Sequence, residues 1–465
     1  MDIKFTLQAQ YAGSQYVAGP FNISGTTDTN ITYELATNIS KNDLLIGYTI
    51  TTPYNITGGT IQSLGTCIAA PVEFYTLEFS NGPIIIGNFD TYSGVSSNGI
   101  VKLTDLGSID FSFNVGTGIP TGAKGSFVYP NGIKTQSNGK LLVGLINTTS
   151  GGTCYYNGEP CYGLIRLNPD GSRDYDFNPP TFFSGDTFAS SGLTAFDIQS
   201  DGKIIVGLTQ SNGYHAIRRL NPNGSLDNTF SNWSTVPLAF GGSANVIKVQ
   251  PDDKILIIGN FAVPTSRILR LNANGTIDNS FIVGTGFNSG SIMKAITIEN
   301  DGRILVGGTF SSYNSVSAPG IVRLNYYGSM DTAFLPLTTG GNPSATAIAV
   351  QPDNKIIIGG FFTTINNPGV STNYIARVLP TTGTKDLSFT GSGFTMLGAT
   401  GFNAINSISL LPNGSMFVTG LFTSYNGTSK NQMVVINNNG SVDNTFTAAT
   451  ESITLCDTFQ SVYIT

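Results

Sequence analysis

Arg219-Leu-Asn-Pro-Asn-Gly-Ser-Leu-Asp227-Asn-Thr-Phe230 is the cleanest of seven copies of one phrase, each ending in a turn glycine, an Asp and a Phe. The others run from Lys102 to Phe113, Arg166 to Phe177, Arg270 to Phe281, Arg323 to Phe334, Arg377 to Phe389 and Val435 to Phe446. Their turn glycines are Gly107, Gly171, Gly224, Gly275, Gly328, Gly383 and Gly440, spaced 51 to 64 residues apart. Self-similarity at that period marks a repeat architecture, and it outranks other readings.

Within the phrase, two short apolar runs flank a polar turn. Asn-Pro-Asn-Gly suits a type I turn followed by a left-handed glycine, the three-residue hairpin with a bulge. Upstream of each phrase stands a second hairpin, such as Phe196-Asp-Ile-Gln-Ser-Asp-Gly-Lys-Ile-Ile-Val206 or Ile247-Lys-Val-Gln-Pro-Asp-Asp-Lys-Ile-Leu-Ile257. Runs rich in Ile and Val around such turns read as strands. Each repeat is therefore predicted to hold four antiparallel strands. One sheet of that size cannot bury both faces, and radial stacking covers them. The predicted fold is all-β: a seven-bladed β-propeller of four-stranded antiparallel blades, with a small β-rich N-terminal domain.

The hairpin register sets Leu220 opposite Leu226 and Arg219 opposite Asp227. The same offset pairs Lys102 with Asp110, Arg166 with Asp174, Arg270 with Asp278 and Arg323 with Asp331. Opposed charges across strands stabilise by about 0.2–1 kcal/mol each, so these are read as structural pairs. Val435 faces Asp443 without a charge, and the extra residue before Asp386 leaves Arg377 without an assigned partner. The recurring Phe113, Phe177, Phe230, Phe281, Phe334, Phe389 and Phe446 are expected to pack between blades.

Blades are placed at 74–114, 131–178, 193–231, 244–282, 293–335, 345–390 and 405–447, within a propeller spanning 73–448. Residues 1–72 carry no repeat and read as a β-rich docking domain. The tail 449–465 reads as a strand that either completes that domain or pairs onto a blade edge. The longer connections 145–163, 178–192, 231–244 and 309–320 are expected on one face of the ring, where binding concentrates on a rigid scaffold. Tyr155, Tyr156, Phe182, Phe183 and Trp233 fall there and are the candidate binding residues. Tyr92, Tyr313 and Tyr425, each three after a Phe, read as structural.

Chemistry is sparse. The single histidine, His215, sits in a short loop with no nucleophile elbow near any serine. No cluster has metal-ligand spacing, so no metal and no cofactor are expected. Gly284-Thr-Gly-Phe lacks the Lys of a phosphate loop. Two carboxylates would suffice for a sugar-cleaving enzyme. Yet nothing marks any two of Glu159, Asp174, Asp176, Asp186 and Asp197 as an acid and base, and no enzymatic activity is expected. The four cysteines, Cys67, Cys154, Cys161 and Cys456, allow three pairings. They read as unlinked thiols, with a Cys154–Cys161 loop staple as the alternative.

Charged residues make up only 11% of the chain, and the net charge is −6. That balance argues against nucleic acid as a partner. No apolar run is long enough to span a membrane. The start, Met1-Asp-Ile-Lys-Phe, lacks a signal-peptide pattern, so a chain assembled inside a cell is expected.

The seven phrases and the Gln-Pro-Asp-Gly-Lys-like turns before them resemble the delta-60 repeat family. The resemblance implies a β-propeller, a frequent setting in secreted or surface bacterial proteins, and no catalytic residues. The Asn- and Thr-rich, charge-poor composition is also similar to that of tailed-bacteriophage structural proteins. That second resemblance implies a virion component of the tail or its fibres. Other virion proteins would meet the N-terminal domain and the tail, and a host-surface glycan or receptor would meet the loop face. The alternatives are a bacterial surface or secreted binding module and a carbohydrate-active enzyme.

Overall fold

A computed structural model gives the fold. It describes the strands Asp2–Tyr11, Ser14–Ser24 and Leu44–Thr51 near the N-terminus. It then describes 82–464 except 88, 90, 120–125, 148–153, 162, 181–192, 210–214, 232–243, 262–266, 289, 335–337, 340–342, 366–371, 397–404 and 448–458. Two compact units divide the chain, Met1–Phe79 and Ser80–Thr465. In the first, Asp2–Tyr11 is the middle strand of an antiparallel three-stranded sheet, with Ser14–Ser24 and Leu44–Thr51 on either side.

The second unit is a seven-bladed propeller. In blade 3, Leu193–Ile198, Ile204–Thr209 and His215–Leu220 pair in chain order. His215 thus opens a strand rather than sitting in a loop. The fourth strand of each blade is shortened to a single bridge. Leu103↔Ile109, Leu220↔Leu226 and Ile436↔Val442 are three of the seven. After the bridge comes an Asx turn: Thr229 donates its N–H (2.9 Å) and its hydroxyl (2.6 Å) to Asp227 Oδ1. This ends the ladder, so each blade has three longer strands and a fourth that pairs through one bridge.

Second strands are continuous apolar runs because both faces of a blade are covered. Their period of two sorts neighbours into different cores. Ile204 and Val206 join the core between blades 2 and 3, while Ile205 joins that between blades 3 and 4. Seven such inter-blade cores run around the ring, the last joining Phe417, Val435 and Phe446 of blade 7 to Ile85 and Val101 of blade 1. All seven recurrent Phe side chains lie in these cores, none more than 7% exposed.

Blade 1 takes its first strand from the end of the chain. Phe459–Ile464 pairs antiparallel with Pro83–Gly87, which pairs with Ile100–Lys102. The seven first strands contact one another in a closed cycle, and Phe459–Ile464 is the member that joins blade 7 to blade 2. The tail therefore belongs to the ring: its pairing is with blade 1, in the innermost position and not along an outer edge.

Candidate functional site

The repeat's charged side chains build a network on the turn side of the ring. Arg Nε meets Asp Oδ2 at 2.6 Å in Arg166–Asp174, and at 2.8 Å in Arg219–Asp227, Arg270–Asp278 and Arg377–Asp386. Arg323 reaches Asp331 at 2.8 Å, and Lys102 reaches Asp110 at 3.2 Å. Arg377 is a correction to the sequence reading. Its extra residue is absorbed in a wider turn, with Gly383 N–H donating to the Leu379 carbonyl. The Val378↔Lys385 bridge then restores the register.

Each arginine also ties its blade to the next. Arg219 Nη1 donates to the Ala273 carbonyl in the neighbouring turn at 2.6 Å. Arg166, Arg270, Arg323 and Arg377 do the same to Pro222, Tyr326, Pro380 and Asn438. The guanidinium stacks over the recurrent Phe, at 4.8 Å for Arg219 on Phe230 and 4.1 Å for Arg323 on Phe334. The basic residue of the first hairpin adds a second cation. Lys140 lies 2.7 Å from Asp174, Lys254 3.0 Å from Asp278 and Lys355 3.2 Å from Asp386. The polar first-hairpin turns that end in Lys carried that signal in the sequence, but only the fold brings the two hairpins of a blade together.

Asp227 and Asp386 titrate low. Burial pushes Asp227 up, but the Thr229 hydroxyl and amide and the Arg219 guanidinium outweigh it and hold the group at about 2. Asp386 is held at about 2 against the same burial by Ser388, Lys355 and Arg377.

Tyr156, expected among the loop-face binding residues, is instead buried, and its hydroxyl donates to the Gly171 carbonyl at 2.8 Å. Tyr92, Tyr313 and Tyr425 make the same bond to Gly107, Gly328 and Gly440. Tyr156 lacks the Phe three residues earlier, so the phrase hid it. The following Asn was the better signal. Asn157 and Asn314 adopt positive φ, and their Oδ1 atoms accept from Thr117 N–H (2.9 Å) and Gly286 N–H (3.0 Å) in Gly-Thr-Gly segments of the preceding blade. Gly284-Thr-Gly-Phe is thus an inter-blade receptor. Tyr155 is half-buried on the same hairpin, whose register sets Cys154 opposite Cys161. Cys161 is buried. Phe182, Phe183 and Trp233 lie outside the described residues.

Two of the cavities among the described residues are open to ligands. A cleft of about 580 Å³ is lined by Asn288, Ile292, Lys294, Thr309, Pro343 and Ser344, on the side of the long connections. A second, of about 140 Å³, lies among the first strands in the middle of the ring, with Lys134, Lys248, Lys294, Thr297, Thr346 and Ser407 in its wall. Lys294 lines both. Asp197 sits beside the central cavity, 3.2 Å from Lys134 Nζ and 3.9 Å from Lys248 Nζ, and accepts the Val249 N–H at 2.8 Å. Sequence reasoning did not find this cluster, because its members are separated by a blade each. Among the described residues no group of three or more His, Cys, Asp or Glu side chains is placed to hold a metal ion.

This architecture defines the protein as a seven-bladed β-propeller held by repeated inter-blade hydrogen bonds. The chain belongs to the β-propeller family described as a domain of unknown function (DUF5122), which matches residues 80–113, 136–177, 199–230, 250–281, 299–334, 351–389 and 411–446. A comparison with curated proteins finds no match. Among solved structures, a protein of unknown function from Bacteroides caccae is 15% identical over 77% of this chain and 91% of its own, with a TM-score of 0.35. A protein from Lactobacillus plantarum is 13% identical over 65% and 80%, with a TM-score of 0.41. A gluconolactonase from Xanthomonas campestris is 11% identical over 63% and 86%, with a TM-score of 0.32. Likenesses of this size carry no argument about activity.

Proposed function

We propose that the protein is a non-enzymatic structural and binding component of a bacteriophage virion, associated with the tail or its fibres, in which the propeller is a rigid platform. One observation carries the scaffold part of this reading. The repeat carboxylates Asp110, Asp174, Asp227, Asp278, Asp331 and Asp386 are each engaged by a cation of their own blade. The acidic side chains that recur are committed to fixing turns, and a shape fixed this firmly suits a presenting surface. The virion setting is supported by the composition, poor in charge and rich in Asn and Thr.

On this reading residues 1–72 dock to neighbouring virion proteins, and the connections on the long-loop face meet a host glycan or receptor. Contacts made by uncharged polar groups vary little with ionic strength. Mass spectrometry of purified particles tests the setting directly. The chain is expected at stoichiometric level in tails, resistant to a high-salt wash. Its absence from particles, or its release by salt, contradicts the reading. A glycan array followed by product analysis tests the binder against the enzyme: cleaved glycan in the product would overturn the non-enzymatic assignment.

A further inference from the structure

The seven strands around the middle of the ring have an unequal charge. Ser126–Thr135 contributes Lys134, Leu193–Ile198 contributes Asp197, Ala244–Val249 contributes Lys248 and Ile292–Ile298 contributes Lys294. Ser344–Val350, Ile405–Leu410 and Phe459–Ile464 contribute no charged residue. Three ammonium groups thus stand against one carboxylate, a net of +2 on the innermost strands of a protein whose overall charge is −6.

Lys134, Asp197 and Lys248 occupy one position of the repeat, two residues before Gln136, Gln199 and Gln250, and so form a single layer of the ring. Both lysines turn to the same carboxylate, Lys134 at 3.2 Å and Lys248 at 3.9 Å. One carboxylate cannot neutralise two ammonium groups, and Asp197 already accepts the Val249 N–H. Repulsion from Lys134 holds the Lys248 ammonium below its usual value, in spite of Asp197. Like charges gathered in one cavity are costly unless something of opposite sign joins them. At Asp174, Asp278 and Asp386 two cations also share one carboxylate, but there they fix the turns, whereas here the lysines line the central cavity.

We propose that the central cavity binds a small oxyanion, a phosphate or a carboxylate, held by Lys134 and Lys248 with Lys294 at the opening shared with the larger cleft. Hydroxyls of Thr297, Thr346 and Ser407 line the same space. Thr297 and Thr346 already donate to carbonyls of the next blade and are left with oxygen lone pairs, so the lysines carry the recognition. The site is independent of any virion role, since it follows from the ring alone.

Calorimetric titration of the full chain with inorganic phosphate and, separately, with citrate at low salt tests the site. Binding of either is expected, weakening as salt rises. Lys134→Met and Lys248→Met should each weaken it by about tenfold, the worth of one charge-assisted hydrogen bond. Asp197→Asn, which removes the competing carboxylate, should tighten it. Binding of phosphate alone would mark a phosphoryl ligand, and of citrate alone a carboxylate ligand. Where a core lysine variant fails to fold, the exposed Lys294→Met and the Asp197→Asn variants decide. No heat from either anion with the wild-type chain, or binding that none of the variants alters, overturns the proposal.

Discussion

Arg270 shows how one side chain can serve two blades. It is fully buried, pairs with Asp278 at 2.8 Å, accepts Phe281 and Tyr326 as stacking partners and donates to the carbonyl of Tyr326 in the next turn. Removing one member of a buried pair strands the other. Arg270→Ala should therefore cost about 3–5 kcal/mol, read from a urea midpoint. Arg270→Met combined with Asp278→Asn should recover part of that loss, because no unpaired carboxylate remains. The aspartates also set a pH dependence. Asp227 and Asp386 fall from an ordinary 3.8 to about 2 in the folded chain. A lowered carboxyl stabilises the fold above its unfolded value, and the stabilisation is lost as pH falls through the folded one. The urea midpoint should be level above about pH 5 and should drop steadily between about pH 4 and pH 2. A midpoint that rises on acidification would contradict the assignment. At this scale the eight-residue Arg–Asp offset could be read directly from the sequence. Its second partner, a carbonyl about 54 residues on in the next blade, could not, because only ring closure brings that turn within reach.

Among the elements, the second turn of each repeat sits against the preceding blade. Asn178 donates its N–H to the Asn223 carbonyl, Ser231 to Asn274 and Thr447 to Leu106. Gly224 has a φ of +90°, and a Cβ there would lie 3.0 Å from the Asn178 backbone. Gly158 has a φ of +78° with open space around it. Gly158→Ala should cost about 1–2 kcal/mol from backbone strain alone. Gly224→Ala should cost more, because the neighbouring blade must also shift. Equal thermal shifts for the two would remove the inter-blade role given to the turn. Tyr156→Phe tests the placement of that residue in the core: it should cost about 1–3 kcal/mol by leaving the Gly171 carbonyl unpaired. A change at a solvent-facing binding residue would leave stability unaltered. The glycines announced the turns in the sequence, since positive φ has few other occupants. The Tyr156 hairpin alone was misjudged, because its Tyr-Asn signal faces a segment of the previous blade, a non-local contact that no window of sequence displays.

For the whole molecule, closure is the central claim. Six blades draw their first strand from just upstream, and the first blade draws it from residues 459–464. Joining the two ends of the propeller in one sheet makes the ring a single cooperative unit, whereas an open array would unfold from its ends. Deleting 459–465 should lower and broaden the thermal transition and expose the Pro83–Gly87 ladder, a strand edge prone to association. The seven-fold repeat made the propeller legible in the sequence. The tail's place was not, because Phe459-Gln-Ser-Val-Tyr-Ile464 lacks both hairpin phrases. An experimental density map of the full chain, viewed along the ring axis, is the most direct test. It should show seven blades with Phe459–Ile464 as the innermost strand of the first. A ring of another number, an open arc, or a first blade whose inner strand comes from residues 1–79 would contradict the account.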